Sequence, residues 1–517
     1  MESADRGYRS IYRAIADNAR DRPDKTYLES VDDGRAVRYR ELFLTANRLS
    51  RWLDRMGVGA NDRVMLLAGN GIEQALAFLG ILRHGACVCT VNLEMNRRHL
   101  TGIVRAVGPR VVLFEDDADI GDIATAHPGP RLRLGTWSPD GGSGLFGEIA
   151  GFDSADPGPA RSGPDDDAVI FYTSGTDAAP KGVVYSHATL FHNTDAGALA
   201  MDVGERDRVL EFRSCAWVSA QEIGLLGPLT RGATAVLARG FSRSRYLGWI
   251  RDHDVTIGAC VPAGIAMLLA EPVDLRGADL PSLRYITSSS APLLSGDMTA
   301  FEERYGIVVA PSFGASELGW VCGSNARDRR VGTVGRPTRH QRVEVVDESG
   351  DPLPPGAVGE IRVTSATQGM AGYLLDDGTV ERAPPGPRLS GDLGFLDADG
   401  YLTVTGRTRD VIVRGGVNIS PLEIDGVLAA HPLVAEACTI GVPERIHGEA
   451  VVSHVVPAPG AEPGEEELRA HCAARLPAAK VPARILFQSA LPRNDRGKLD
   501  RNALRQEWRD RNPPPGS

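Results

Sequence analysis

Between residues 63 and 114 the sequence alternates regularly between short apolar segments and longer amphipathic ones. The apolar segments predict strands, and the segments between them have the apolar spacing of helices. Such alternation is typical of parallel strands joined by helical crossovers. It returns between residues 183 and 312. The predicted strands are at residues 63–68, 86–91, 111–114, 208–212, 233–238, 255–260, 284–288 and 307–311. The sequence therefore predicts an α/β fold with two stacked sheets of the same class.

The remaining segments differ from this pattern. Two segments near the amino terminus have helical spacing and are expected to pack on the first sheet as scaffold. Residues 126–166 are rich in Gly, Pro, Ser and Asp and predict an irregular surface segment. Short strands near 341–347 and 358–364 indicate a small β unit. After residue 406 the pattern changes again, to a compact mixture of strands and helices.

The composition narrows the possible function classes. The 517 residues carry a formal net charge of -10, and 42% of them are hydrophobic, as in an ordinary soluble protein. An acidic chain without a basic run is a poor candidate for binding nucleic acid or an anionic membrane. Its seven cysteines fit a reducing compartment better than a disulfide framework or a zinc site. Without a signal-peptide core or the ~20 apolar residues of a membrane span, we expect a cytoplasmic protein.

Residues 172–182 read Tyr-Thr-Ser-Gly-Thr-Asp-Ala-Ala-Pro-Lys-Gly, and we refer to them as the lysine loop. The loop follows a predicted buried strand, and its small hydroxyl-bearing residues and single lysine have the composition of a phosphate-cradling turn. It is not a Walker A motif, because Lys181 is preceded by Pro180 and followed by Gly182. The alternative is an ordinary surface loop between a strand and a helix.

Four further segments have residues suited to binding a nucleotide. Residues 313–317, Phe-Gly-Ala-Ser-Glu, supply a ring that can stack on a base and a carboxylate that can hold Mg²⁺. Residues 390–392, Ser-Gly-Asp, supply an acid for ribose hydroxyls. Residues 406–423 combine a charged turn, a glycine pair and a helix start, and residues 492–501 place a lysine on a glycine-hinged loop. Each also has an ordinary explanation as a capped turn or a mobile terminal loop.

Taken together and in this order, the five segments resemble the motifs of the adenylate-forming superfamily of acyl-CoA synthetases, nonribosomal peptide adenylation domains and luciferases. The resemblance covers residues 9–508. It implies a large amino-terminal domain at about residues 1–406 and a mobile α+β carboxy-terminal domain at about residues 407–517. It also implies a reaction in two halves. A carboxylate attacks the α-phosphorus of ATP to give an acyl-adenylate and pyrophosphate. The small domain then rotates, and the pantetheine thiol of coenzyme A attacks the acyl carbonyl and expels AMP.

The resemblance assigns roles to individual residues, and we expect an acyl-CoA ligase that uses ATP, Mg²⁺ and coenzyme A. The residues matching the loop that holds the β and γ phosphates are Thr173, Ser174, Gly175, Thr176 and Lys181. Around the nucleotide, Phe313 matches the aromatic beside adenine, Ser316 the hydroxyl near the α-phosphate, Glu317 the Mg²⁺-associated carboxylate, and Asp392 with Arg407 the ribose-binding pair. In the smaller domain, Arg409 matches the hinge, Gly416 the glycine beside the pantetheine tunnel, and Lys498 the lysine that bridges the substrate carboxylate and the α-phosphate.

The positions expected around the acid are Trp217, Val218, Gln221, Thr287 and Ser288. Trp217 lies roughly where many relatives have histidine. It can line the acyl pocket, although the apolar run around it favours a buried core position. The set is mixed apolar and polar, with no obvious cation to pair a second carboxylate, which favours a hydrophobic monocarboxylic acid.

The lysine loop departs from the family pattern at Asp177 and Ala178, where threonine and glycine are usual. A carboxylate ~4 Å from one phosphate charge is opposed by roughly 4 kcal/mol at an effective dielectric of ~20. Alanine in place of glycine costs on the order of 1 kcal/mol or more where φ is positive. Both changes lie in the loop that the resemblance assigns to the phosphates released as pyrophosphate. The residues that the resemblance assigns to AMP and pantetheine are all present.

Several hypotheses about activity therefore stay open. In one, Asp177 points to solvent and the enzyme carries out both half-reactions. In another, adenylation is weak or lost, and the enzyme uses an acyl-adenylate supplied by a separate adenylating enzyme. A third is a catalytically retired adenylate-binding protein. Transfer to the pantetheine of a carrier protein is an alternative to transfer to free coenzyme A.

Overall fold

The computed structural model describes residues 7–92, 97–116, 121–173, 180–365, 367, 369–493 and 499–512. Thr173 is described in its backbone only. The residues of interest that lie outside the described ranges are Ser174, Gly175, Thr176, Asp177, Ala178 and Lys498. What the sequence predicts for these side chains stays a prediction.

Helices occur along the whole described chain. In chain order they are α1 (Ile11–Asp21), α2 (Tyr39–Arg55), α3 (Ile72–His84), α4 (Arg97–Val107), α5 (Gly121–Ala126), α6 (Gly144–Ile149), α7 (His187–Ala200), α8 (Val218–Ala220), α9 (Gly227–Arg231), α10 (Tyr246–Asp252), α11 (Pro262–Ala270), α12 (Ser295–Tyr305), α13 (Pro421–Ala429), α14 (Glu465–Ala473) and α15 (Arg501–Arg511). A π-helix, Gln221–Leu226, joins α8 to α9, and short 3-10 helices occur at Gly277–Asp279, Thr408–Asp410 and Ala478–Lys480.

The strands alternate with these helices in the first half of the chain and dominate the second half. In chain order they are β1 (Thr26–Ser30), β2 (Ala36–Arg38), β3 (Arg63–Leu67), β4 (Cys87–Thr90), β5 (Val111–Phe114), β6 (Arg131–Arg133), β7 (Trp137–Ser138), β8 (Gly141–Gly142), β9 (Asp167–Thr173), β10 (Lys181–Ser186), β11 (Arg208–Glu211), β12 (Thr234–Leu237), β13 (Ile257–Cys260), β14 (Tyr285–Ser288), β15 (Val309–Pro311), β16 (Phe313–Ala315), β17 (Gly319–Gly323), β18 (Arg336–Pro337), β19 (Gln341–Val346), β20 (Gly359–Ser365), β21 (Gly372–Leu374), β22 (Val380–Arg382), β23 (Arg388–Leu396), β24 (Leu402–Arg407), β25 (Ile412–Arg414), β26 (Val417–Ile419), β27 (Val434–Glu444), β28 (Gly448–Pro457) and β29 (Arg484–Phe487).

Two large sheets form the amino-terminal part of the molecule. The first has the strand order β22-β21-β10-β9-β4-β3-β5-β6, and the second has the order β15-β14-β13-β11-β12-β1-β2. Pairing is parallel from β9 to β6 in the first sheet and from β15 to β1 in the second. Every residue of β4 is buried, as expected for a parallel strand covered on both faces. The predicted α/β class with two sheets is confirmed.

The lysine loop connects two antiparallel strands. Lys181 is the first residue of β10 and lies opposite Thr173, the last residue of β9. The alternative of a loop between a strand and a helix is therefore wrong, because the chain reverses into β10, which pairs with β9 and β21 inside the sheet, before α7 begins. This register fixes both ends of the loop relative to each other.

Two other expectations need correction. Residues 126–166 are not wholly irregular, since they contain β6, the β7–β8 hairpin and α6. The apolar side chains Leu145, Phe146 and Ile149 of α6 are buried in the main core, which orders a segment rich in Gly and Ser. β1 and β2 were not predicted at all. β1 pairs in parallel with β12 and antiparallel with β2, which forms the edge of the second sheet.

The second half of the chain contains the predicted small β unit and a compact carboxy-terminal part. The β unit is the antiparallel sheet β19-β20-β23-β24. The carboxy-terminal sheet has the order β26-β25-β28-β27, with β29 paired in parallel to β28, and it has its own apolar core. Its helix α13 follows Ser420, whose hydroxyl donates to the carbonyl oxygen of Thr405 at the end of the β unit.

Two general features accompany this fold. No helix in the described part of the chain is both long and apolar enough to cross a membrane. All seven cysteines are buried free thiols. Burial raises the pKa of the thiols of Cys87 and Cys89, the two that are closest in sequence, well above the ordinary value.

Candidate functional site

The carboxyl ends of several parallel strands converge at one place in the molecule. The turn at residues 288–290 follows β14, and Ser312 follows the neighbouring β15. The amide of Ser312 donates to the carbonyl oxygen of Ser288 at 2.9 Å. The next residue, Phe313, starts β16 and is partly buried, with one side against the apolar cluster of the β unit. Ligands of open α/β sheets bind at such strand ends, and this is where the sequence predicts the nucleotide.

Ser316 and Glu317 follow β16 and are fixed by side chains from distant elements. The Tyr185 hydroxyl donates to the carbonyl oxygen of Ser316 at 3.0 Å. Arg388 Nη1 donates to the carbonyl oxygen of Glu317 at 2.9 Å. The Tyr373 hydroxyl donates to Glu317 Oε1 at 3.4 Å. Two side chains thus hold the backbone of this turn, and a third holds the half-buried Glu317 carboxylate.

Lys181 belongs to the same cluster through Tyr373. Its ammonium lies 5.5 Å from the centroid of the Tyr373 ring, within the range of a cation–π contact. Burial, with the Glu317 carboxylate next in importance, raises the pKa of Tyr373 to about 12, so its hydroxyl stays neutral and donates. The Tyr373 ring therefore lies between the ammonium of Lys181, which it contacts through its face, and the carboxylate of Glu317, to which its hydroxyl donates. Such a set can hold an anion at one end and a metal ion at the other.

The donor set at Glu317 fits a magnesium ion that is completed by substrate. No group of three or more Asp, Glu, His or Cys side chains within the described ranges could hold a metal ion on its own. Mg²⁺ is commonly held by one or two carboxylates together with phosphate oxygens and waters. Glu317 beside a predicted polyphosphate site has the chemistry of that arrangement.

The predicted ribose pair is formed in the β unit. Asp392 in β23 and Arg407 in β24 lie opposite each other, and their Oδ1 and Nε atoms are 3.2 Å apart. Asp392 is buried, and its amide donates to Ser390 Oγ at 2.9 Å. β23 also carries Arg388, which reaches Glu317, so one strand links the pair to the cluster around Tyr373.

Replacing Asp392 with alanine is expected to raise KM for ATP by about 10- to 100-fold, because hydrogen bonds to a charged group are worth about 1.5–3 kcal/mol. Steady-state kinetics at varied ATP measure the effect. Asp399→Ala is the matched control, since Asp399 pairs with Arg330 at 2.7 Å on the exposed face of the same unit. An unchanged KM for ATP in Asp392→Ala would contradict the assigned role.

The residues expected around the acid lie after β11 and at the end of β14, two strands of the second sheet that are separated by β13. Trp217 caps α8 and is partly exposed, so the buried core position favoured by the sequence is wrong. Val218 and Gln221 are buried, and Gln221 begins the π-helix. Thr287 and Ser288 are also buried. Their hydroxyls, like Gln221 Oε1, have no hydrogen-bond partner in the described part of the chain. Buried polar groups are normally paired, and these three are available to a ligand or to water.

Sequence reasoning missed the side chains that hold the site together. Tyr185 and Tyr373 lie in strands that read as ordinary apolar segments. Arg213, at the end of β11, is a buried cation that the sequence did not indicate. It forms a bidentate ion pair with Glu211, with 2.9 Å from Nε to Oε1 and 2.5 Å from Nη2 to Oε2. Because Glu211 compensates its charge, Arg213 leaves no net positive charge for a second substrate carboxylate.

Two predicted residues lie apart from this cluster. Gly416 is in the β25–β26 hairpin with φ of 82°, and no described atom lies within 4 Å of the position that a Cβ would take there. The positive φ of the hairpin turn is enough to explain a glycine at this position. The predicted role of Gly416 beside pantetheine stays a prediction. Arg409 is exposed in the 3-10 helix Thr408–Asp410.

Comparison with known proteins gives full-length matches. The chain matches the family model of AMP-binding enzymes over residues 15–374 and the model of their C-terminal domain over residues 423–498. A sulfoacetate–CoA ligase from Cupriavidus necator is 34% identical over 95% of this chain and 96% of its own length. A fatty acid–[acyl-carrier-protein] ligase from Streptomyces coeruleorubidus is 31% identical over 93% and 92%. The crystal structure of ATP-bound MatB from Rhodopseudomonas palustris has a TM-score of 0.87 at 27% identity, covering 96% of this chain and 99% of that one.

Proposed function

The chain belongs to the family of AMP-binding enzymes and is an adenylate-forming acyl-CoA ligase, and from that premise we propose that it carries out both half-reactions on one carboxylic acid. The observation that carries this proposal is the connected cluster of Lys181, Tyr373 and Glu317 beside the turn at Ser316. A retired adenylate-binding protein has no need of a lysine next to Tyr373 and the carboxylate that we propose to hold Mg²⁺.

In the first half-reaction, an oxygen of the substrate carboxylate attacks the α-phosphorus of ATP, and the bond from that phosphorus to the bridging oxygen of pyrophosphate breaks. Lys181 binds the phosphates that leave, while Asp392 and Arg407 hold the ribose. Glu317 would hold Mg²⁺, which neutralises phosphate charge when bound. Lys498 supplies a cation where charge develops between the two reactants. Placing the reactants in this way accounts for a large share of such a rate enhancement.

In the second half-reaction, the thiol of coenzyme A loses its proton to solvent and its sulfur attacks the acyl carbonyl. The bond from the carbonyl carbon to the AMP oxygen breaks, and AMP leaves with the electron pair. Residues around the adenylate stay in place, and the neighbourhood of Gly416 admits the pantetheine arm, because a glycine permits close approach. Free coenzyme A is the proposed acceptor, and no separate adenylating enzyme is needed.

We propose domains at residues 1–406 and 407–517 with a hinge at Arg409. The contacts on either side of this residue support that position. Arg407 pairs with Asp392 of the larger domain. Asp410 instead accepts a hydrogen bond at 3.1 Å from Arg505 of α15, in the smaller domain. The exposed Arg409 lies between these two anchors, where a change in backbone angles breaks neither contact.

The test follows both products separately. Purified enzyme with ATP, Mg²⁺ and a panel of carboxylic acids is expected to release pyrophosphate and, after addition of coenzyme A, to form the acyl-CoA thioester. Synthetic acyl-adenylate plus coenzyme A tests the second half alone, and a holo-carrier protein in place of coenzyme A tests the acceptor. Thioester from the adenylate without pyrophosphate release from any acid would support an enzyme restricted to the second half. Absence of thioester in both experiments would support an adenylate-binding protein without activity.

A further inference from the structure

We propose that a cavity at the carboxyl ends of β3 and β5 binds a small zwitterion, a molecule that carries one carboxylate and one ammonium group. The cavity has a volume of about 160 Å³. Since a cavity of about 150 Å³ holds benzene, this one has room for a ligand of roughly six non-hydrogen atoms. None of the described residues assigned above to the nucleotide or to the acid lines it. Binding here is therefore a property beyond the proposed function.

The topology of the first sheet places this cavity where open α/β sheets bind ligands. β3 and β5 are parallel neighbours, with Leu67 opposite Phe114. From β3 the chain crosses to β4 on one side, and from β5 it continues to β6 on the other side. Where the connections of adjacent strands leave in opposite directions, a crevice opens outside their carboxyl ends. Gly69 and Asn70 after β3, and Glu115 after β5, line the cavity at this point.

The first turn of α3 supplies hydrogen-bond donors on one side of the cavity. α3 begins after Gly71, and no side chain caps its amino end. The amides of residues 72–74 have no acceptor within the helix, and no other described group accepts from them. The Glu73 carboxylate is engaged elsewhere, since it accepts from the amide of Trp137 at 2.9 Å and from Arg35 Nη1 at 2.5 Å. A helix end of this kind favours an anionic group.

Gln74 distinguishes this turn from an ordinary helix end. Its side chain lines the cavity and is only 3% exposed. Its Oε1 is buried and has no hydrogen-bond partner in the described part of the chain. Buried polar groups are normally paired, and a carboxamide can turn either its oxygen or its NH₂ group toward a ligand. A ligand in the cavity supplies the missing partner.

The opposite side of the cavity, after β5, carries carboxylates. Glu115 is held in place, because its Oε1 accepts from Arg239 Nη2 at 2.8 Å and its Oε2 accepts from the amide of Gly69 at 3.1 Å. Asp116 follows it, lines the same cavity and is exposed. Arg239 offsets one of these two negative charges. The remaining charge attracts a cationic group.

The two sides together disfavour a ligand with a single charge. An anion at the turn of α3 is repelled by Glu115 and Asp116, whereas a cation at these acids leaves the helix amides without an acceptor. A zwitterion satisfies both sides at once. Neighbouring strands are about 4.8 Å apart, so the two charged groups of the ligand are separated by roughly 5 Å. This span favours a three-carbon ω-amino acid, β-alanine, which also has the size that the cavity admits.

The test measures binding to the full-length enzyme by isothermal titration calorimetry, without ATP or substrate acid. Glycine, β-alanine and 4-aminobutyrate vary the separation of the two charges, and propionate and propylamine each carry one of them. β-Alanine is expected to bind saturably and at least about 10-fold more tightly than propionate or propylamine. Gln74→Leu and Asp116→Asn are each expected to weaken its binding by about 10- to 100-fold, the effect of losing one hydrogen bond to a charged group.

Gln506→Leu in α15 and Asp274→Asn before the 3-10 helix Gly277–Asp279 make the same changes at exposed positions and are expected to leave binding unchanged. Thermal unfolding reports whether Gln74→Leu is folded, and Asp116→Asn at an exposed position keeps the test decisive if it is not. Binding of β-alanine no tighter than that of propionate overturns the proposal. So does binding that a folded Gln74→Leu or Asp116→Asn leaves unchanged, because the ligand then lies elsewhere. A failure of the proposed function does not affect either result, since no turnover is measured.

Discussion

Replacement of Lys498 with alanine is expected to lower the rate of pyrophosphate release by about 100- to 1,000-fold, the effect of removing one preorganised charge stabiliser from an active site. Thioester formation from synthetic acyl-adenylate is expected to stay close to wild type, because the α-phosphate is already bonded to the acyl group in that substrate. The two rates are measured on one preparation, by coupled pyrophosphate detection and by chromatography of the acyl-CoA.

The structure on both sides of Lys498 supports a local effect. The amide of Asp500 donates to the carbonyl oxygen of Pro492 at 2.9 Å, and Arg493 bridges to Leu499. Neither contact uses the lysine side chain. Lys480→Ala is the matched control, since Lys480 is in the same domain and pairs with Glu423 at 2.6 Å. Pyrophosphate release near the wild-type rate in Lys498→Ala would falsify the assigned role, and loss of both half-reactions with a lowered Tm would indicate a damaged fold.

The parts of the fold that follow from local pattern were predicted well. Strands such as β3 and β5 are short apolar runs bounded by turn residues, and their parallel pairing follows from the helices between them. β1 was missed because its place in a sheet depends on pairing with β12, about 200 residues later, where Leu28 lies opposite Ala235. β10 was not predicted either, since its antiparallel pairing with β9 and with β21, about 190 residues later, depends on these partners and not on its own residues.

The candidate site shows a similar division. The residues predicted to touch the nucleotide, such as Glu317 and Asp392, belong to short contiguous motifs that can be read from the sequence. The side chains that position them come from far along the chain. The Tyr185 hydroxyl bonds to a residue 131 positions away, and Tyr373 bonds to one 56 positions away. Such a tyrosine has no local pattern that distinguishes it from a core residue until the strands are assembled.

Arg213 illustrates the limit of counting charges in a sequence. The absence of an obvious cation favoured an acid without a second carboxylate. The structure contains a buried cation at this place, but Glu211 compensates it and Ser289 accepts its remaining contact. The same residue that could have argued for a dianionic substrate instead joins the segment after β11 to the segment after β14. Its role follows from its partners and not from its charge.

The double substitution Asp177→Thr with Ala178→Gly is expected to raise kcat/KM for ATP in pyrophosphate release by up to about 1,000-fold. A carboxylate ~4 Å from one phosphate charge costs roughly 4 kcal/mol at an effective dielectric of ~20, which corresponds to about three orders of magnitude. Lys181 and Thr173 lie opposite each other in the hairpin, so the seven residues between them close over a short span. We therefore expect Asp177 to lie near the phosphates that Lys181 is proposed to bind.

Asp177→Asn separates charge from shape, because it removes the carboxylate charge and keeps the side-chain volume. If repulsion limits adenylation, this single change gives most of the gain, and the gain shrinks at high salt for an exposed carboxylate. Ala178→Gly alone reports the backbone contribution. Thioester formation from synthetic acyl-adenylate is expected to be the same in all three variants, since pyrophosphate takes no part in it. Unchanged pyrophosphate release in the double variant means that Asp177 faces solvent and that the wild-type loop already binds the phosphates without this penalty.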